Sequence, residues 1–194
     1  MKRRTRKISL AGFTLVELMI VVAIVGILAI LAGIGVRKYI TNAKTAEARN
    51  SLGAIATDEA AAYEKESMAA AVLATKTSTT MARRMCLSAS ATVPASATSI
   101  QGKKYQSTVK EWNVDEAGNS GFACLKFDME FAQYYMYSYS VAGSGSNIGD
   151  SFTAGAQGDL NGDGVLSLFQ LTGSIGSGYI LNIAPNMLEV RPDE

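Results

Sequence analysis

From Phe13 to Val36 the chain reads FTLVELMIVVAIVGILAILAGIGV, and Glu17 is the single charged residue in those 24 positions. As an α-helix rising 1.5 Å per residue the segment spans about 36 Å, enough to cross the hydrocarbon core of a bilayer. Lys2, Arg3, Arg4, Arg6 and Lys7 precede it, a basic cluster of the kind that stays on the cytoplasmic side of an inserted helix. A secretory signal peptide has a shorter apolar region followed by a small-residue cleavage site. Here the order is inverted: the small residue, Gly12, stands before the apolar run. Cleavage after Gly12 would remove residues 1–12 as a leader and leave the apolar helix on the product, with Phe13 as its new N-terminus.

Glu17 needs a reason. A carboxylate at the membrane centre costs about 2.5–3.5 kcal/mol on insertion scales, so such a group usually has a partner. One reading is local. Thr14-Leu15-Val16-Glu17 has the spacing of a capping box, with Thr14 as the cap and Glu17 returning to the cap amide, and an acid in the first turn suits the helix dipole. The other reading is intermolecular: Glu17 neutralises the ammonium group that cleavage creates on Phe13. The two are compatible.

Composition narrows the remaining choices. With the five leader cations set aside, 13 basic side chains face 17 acidic ones, a net charge of −4, so nucleic acid is not an expected direct partner. The chain has no histidine, which removes the commonest general base and metal ligand and with them the usual nucleophilic triad. No phosphate loop or repeated carboxylate constellation is present, and no enzymatic role is expected. Cys86 and Cys124 are the two cysteines. In an exported domain they make one disulfide, worth about 4 kcal/mol for a loop of that length; the alternative is a pair of buried thiols.

The stretch GFTLVELMIVVAIVGILA, Gly12 to Ala29, resembles the prepilin signature shared by type IV pilins and type II secretion pseudopilins. The resemblance covers about the first third of the chain. It implies cleavage after Gly12 by a membrane-embedded prepilin peptidase, N-methylation of Phe13, and contact of Glu17 with the N-terminal amine of a neighbouring subunit. It further implies partners: copies of the same subunit and an inner-membrane assembly machinery. The resemblance implies too that the subunit is held in the inner membrane and then forms an extracellular filament or, as a pseudopilin, a periplasmic one. Ile34 stands where members often have proline. Gly26, Gly33 and Gly35 each weaken the helix by roughly 1 kcal/mol relative to Ala, so a bend within this stretch is expected in a fibre.

The expected architecture is α+β: a long N-terminal helix, transmembrane in its first half, packed on a C-terminal antiparallel sheet. Residues 37–68 continue the helix amphipathically, with Leu52, Ile55, Ala56, Ala60 and Tyr63 on one face. Glu47, Arg49, Asp58, Glu59 and Glu64 are read as populating the other, solvated faces. Residues 69–104, rich in Ala, Ser and Thr, form a variable loop region, and 105–194 the sheet domain. Alternation through Ala123, Leu125, Phe127, Met129 and Phe131, then Tyr135, Tyr137, Tyr139 and Val141, predicts a hairpin turning near residues 130–133, with the tyrosines on its inner face. LSLFQLTGS and GYILNI are further strands. Asp159-Leu160-Asn161-Gly162-Asp163-Gly164 matches the start of a calcium loop with Asp159, Asn161, Asp163 and the Val165 carbonyl as ligands, although position twelve is Gln170 rather than Glu. A tight β-turn is the other reading of the same residues.

Overall fold

The computed structural model describes residues 12–65, 67–68 and 81–194. Most of the expected leader, and residues 69–80 of the expected variable loop, lie outside the described residues. The chain divides into two compact units, Met1–Ile40 and Thr41–Glu194.

Helix α1 runs from Leu15 to Glu64 and contributes to both units. In the first unit it is unbroken through Gly26, Gly33 and Gly35. Among the described residues it is the helix long and apolar enough to cross a membrane, and the described side chains of its apolar stretch are exposed in the single chain. In the second unit the sequence changes character. Thr45, Ala48, Leu52, Ile55, Ala56, Glu59 and Tyr63 are buried at helical spacing. The helix ends at Glu64, short of the expected residue 68, and Ser67–Met68 instead form strand β1, antiparallel to β2, Met81–Ala82.

The sheet contains β3 (Tyr135–Ala142), β4 (Ser151–Gly158), β5 (Ser167–Ile175), β6 (Leu181–Ile183) and β7 (Leu188–Val190). β3, β4 and β5 are consecutive antiparallel neighbours, and β6 and β7 pair with opposite ends of β5. Tyr135, Tyr137 and Tyr139 from β3, Phe152, Ala154 and Ala156 from β4, and Phe169, Leu171 and Ile175 from β5 form one core with the buried face of α1. The inward tyrosine face expected of β3 is what the structure shows. β4 was not anticipated, because SFTAGAQG lacks a large alternating pattern. Its small residues have a packing reason: a Cβ on Gly158 would lie 2.6 Å from the Tyr135 ring.

The predicted hairpin over residues 123–141 is corrected. Gly121–Leu125 is a short helix, α3, following another, α2, at Val109–Trp112. Phe122 and Leu125, three apart, are buried, whereas Phe131 is 80% exposed. Phe122 and Phe127 meet the Trp112 ring edge-on at 5.0 and 5.4 Å, so an aromatic cluster overrides the period-two pattern. The turn that leads out of β3 is the Gly- and Ser-rich stretch between Ala142 and Ser151. The segment from Met85 to Val93 lines the outer edge of β3: the N–H of Ala89 donates to the Tyr139 carbonyl, and Val93 and Tyr137 exchange bonds of 3.0 and 2.8 Å.

Candidate processing and assembly site

Gly12, Phe13 and Thr14 lead into α1 without being part of it. The Thr14 side-chain oxygen accepts the Glu17 N–H at 3.3 Å, and its carbonyl accepts the Leu18 N–H at 3.2 Å. Thr14 therefore caps the helix. The return bond from the Glu17 carboxylate to the cap amide is not formed among the described residues, so only half of the expected capping box is present. This leaves the Glu17 carboxylate, one turn beyond the exposed Phe13, free of that local partner. The acid lies in the first turn of α1 among apolar residues, with Phe13 just ahead of the helix. That arrangement suits charge pairing between chains.

The Cys86–Cys124 disulfide is formed, with its Cα atoms 5.8 Å apart. It ties the segment along the β3 edge to α3, and the Gly121 N–H donates to the Leu87 carbonyl beside it at 2.8 Å.

The Asp159 loop connects β4 to β5. The two carboxylate oxygens of Asp159 accept the N–H groups of Gly162 and Gly164 at 2.6 and 2.8 Å. Asn161 Oδ1 accepts the Asp163 N–H, and Asp163 Oδ1 the Val165 N–H. The Asn161 amide nitrogen donates to Asp163 and, at 2.6 Å, to Glu194. The oxygen donors are of the type calcium takes. Their arrangement, however, closes the turn with its own hydrogen bonds, and Gln170 sits within β5 opposite Gly155. Gly162 and Gly164 have φ of 82° and 90°, which requires glycine.

Arg49 and Glu64 of α1 are exposed, as expected of a solvated face, but Glu47 and Glu59 are not. Glu59 is fully enclosed. Glu47 accepts the Tyr134 N–H at 2.8 Å, and burial raises its pKa above the ordinary value, partly offset by that bond and by Lys104. Arg49 makes a two-pronged contact to Glu189 on β7, both bonds 2.8 Å. The signal for Glu59 was in the spacing: it lies seven residues after Leu52, four after Ile55 and four before Tyr63, on the apolar face.

Residues 11–33 match the model of the prokaryotic N-terminal methylation motif. No curated protein and no solved structure matches the chain significantly. The family match falls on the Gly12–Phe13 junction, Glu17 and the apolar first half of α1: the chain carries a prepilin signature of the type IV pilin and pseudopilin kind.

Proposed function

We propose that the chain is a structural subunit of a type IV pilus, made as a precursor, held in the inner membrane and assembled into an extracellular filament. Prepilin peptidase cleaves after Gly12, and the Phe13 amine is methylated. Copies then associate through the Phe13–Val36 helices, in cooperation with an inner-membrane assembly machinery. Burial of apolar surface at about 25 cal/mol per Å² favours this bundling once the helices leave the lipid for the fibre. Glu17 meets the Phe13 amine of a neighbour and sets the axial register, because an acid left unpaired there is costly. The work is assembly rather than catalysis, serving adhesion, motility or DNA uptake.

The observation that carries this reading is the methylation motif placed on a helix whose apolar side chains the single chain leaves uncovered. The mass of the mature N-terminal peptide tests processing: it begins at Phe13 and carries one added methyl. Glu17→Gln tests assembly: the subunit is still processed and retained in the membrane, but filaments are lost or much shortened. Filaments of normal length and growth rate would refute the role of Glu17. Shearing of cells separates the pilus from the alternative, a pseudopilin of a type II secretion system. A pilus subunit is released into the sheared fraction, whereas a periplasmic pseudopilus stays with the cells.

A further inference from the structure

Glu59 is fully enclosed between α1 and the sheet. Its Oε2 lies 2.7 Å from the Tyr139 hydroxyl, and its Oε1 has no hydrogen-bond partner. The same hydroxyl lies 3.1 Å from the carbonyl oxygen of Cys86. A phenol has one proton, so it can donate to one of these two acceptors at a time. If Glu59 is ionised, Tyr139 donates to it and the Cys86 carbonyl loses that donor. If Glu59 carries a proton, it donates to the Tyr139 oxygen, Tyr139 donates to the Cys86 carbonyl, and both contacts are hydrogen bonds. Proton counting alone favours the neutral acid.

We propose that Glu59 is a proton-operated latch, which as a neutral acid completes a relay from α1 through Tyr139 to the disulfide-bearing segment, and which on losing its proton loosens that segment from the helix and sheet. The surrounding charges do not provide a counter-ion. The titratable group that touches it is Tyr139 of β3, and among the described residues no charged side chain bears on its titration. Lys65, Arg84 and Lys126 line, with Asp58 and Cys86, a cavity of about 670 Å³. Among the described residues the ion pair formed is Arg49–Glu189, and none involves Glu59.

Burial pushes the Glu59 carboxyl up to about 7 from its ordinary 4.5, with the Tyr139 hydroxyl offsetting part of the effect. The folded state therefore holds a proton that the unfolded chain releases. The stabilisation is complete below about pH 4.5 and is lost progressively as the pH rises to about 7. A shift of this size corresponds to a change on the order of a hundredfold in the folded-to-unfolded ratio. The chain has no histidine to titrate in the same window, and Glu47, whose pKa is also raised, is common to the proteins compared.

The test is urea unfolding of the full-length chain in detergent micelles between pH 5 and pH 8.5, for the wild type and Glu59→Gln. The wild type is expected to lose stability with rising pH by about a hundredfold more than Glu59→Gln, whose side chain is neutral throughout. At pH 6 the infrared carbonyl band of a protonated carboxylic acid is expected in the wild type and missing in Glu59→Gln. Should that variant not fold, the carbonyl band of the wild type followed from pH 5 to pH 8.5 serves: it is expected to fade over the same range in which stability is lost. Parallel pH profiles for the wild type and Glu59→Gln, or a carbonyl band that does not fade as the pH rises, would overturn the proposal.

Discussion

Replacing Cys86 and Cys124 together by serine removes a cross-link between positions 38 residues apart. In the chain-entropy account, opening a loop of that size stabilises the unfolded chain by about 4 kcal/mol. For a domain of this size that corresponds to a fall of about 8–16 °C in melting temperature. The structure distinguishes this origin from a local one. If the bond acts on the unfolded state, the folded domain keeps its hydrogen bonds and every slowly exchanging amide loses protection equally, those in β4 and β5 included. If instead the bond mainly pins the β3-edge segment, the losses concentrate at the amides of Ala89, Val93 and Gly121, which donate to Tyr139, Tyr137 and Leu87. The assay is urea unfolding of the full-length protein in micelles, followed by Trp112 fluorescence, with native-state hydrogen exchange read residue by residue. The expected result is a loss near 4 kcal/mol spread over the whole sheet. A loss under about 1 kcal/mol, or protection lost only along the β3 edge, would refute the loop-entropy argument.

Two further outcomes follow from buried polar groups. Gln133→Leu removes donors to the carbonyls of Val93 and Tyr135 and an acceptor for Ser107. Val93 keeps a second donor in Tyr137, so the expected cost is about 2–3 kcal/mol, read as a lower urea midpoint. At the Asp159 loop, both carboxylate oxygens already accept backbone N–H groups. Calorimetric titration with calcium is therefore expected to give no heat, and Asp159→Ala to lower the melting temperature equally with and without chelator. Binding heat that disappears in Asp159→Ala would instead assign calcium to Asp159, Asn161, Asp163 and the Val165 carbonyl.

What could be read from the sequence depended on how local the determining physics was. The apolar run, its one acid and the glycine before it are contiguous, so the membrane-length helix and the signature needed no tertiary information. The tyrosines of β3 alternate cleanly because one face of that strand meets α1. β4 was invisible because its small residues are chosen by the rings of neighbouring strands, a constraint that appears only once Tyr135 faces Gly158. The alternation from Ala123 to Phe131 misleads for another reason: it is regular, but Trp112, outside the alternating stretch, recruits Phe122 and Phe127 into a cluster. Residue type alone puts Glu59 on the solvated faces, whereas its spacing puts it inside.

Both rims of the sheet are interrupted. The Met85–Val93 segment bonds along one, and on the other β6 and β7 each cover three residues of β5. A chain confined with its copies to the plane of a bilayer meets them at high local concentration, where a long bare strand would zip onto its neighbour. Among the described residues no such strand is on offer, so on the function proposed above crowding would leave the sheets separate and lateral contact would fall to the apolar helices.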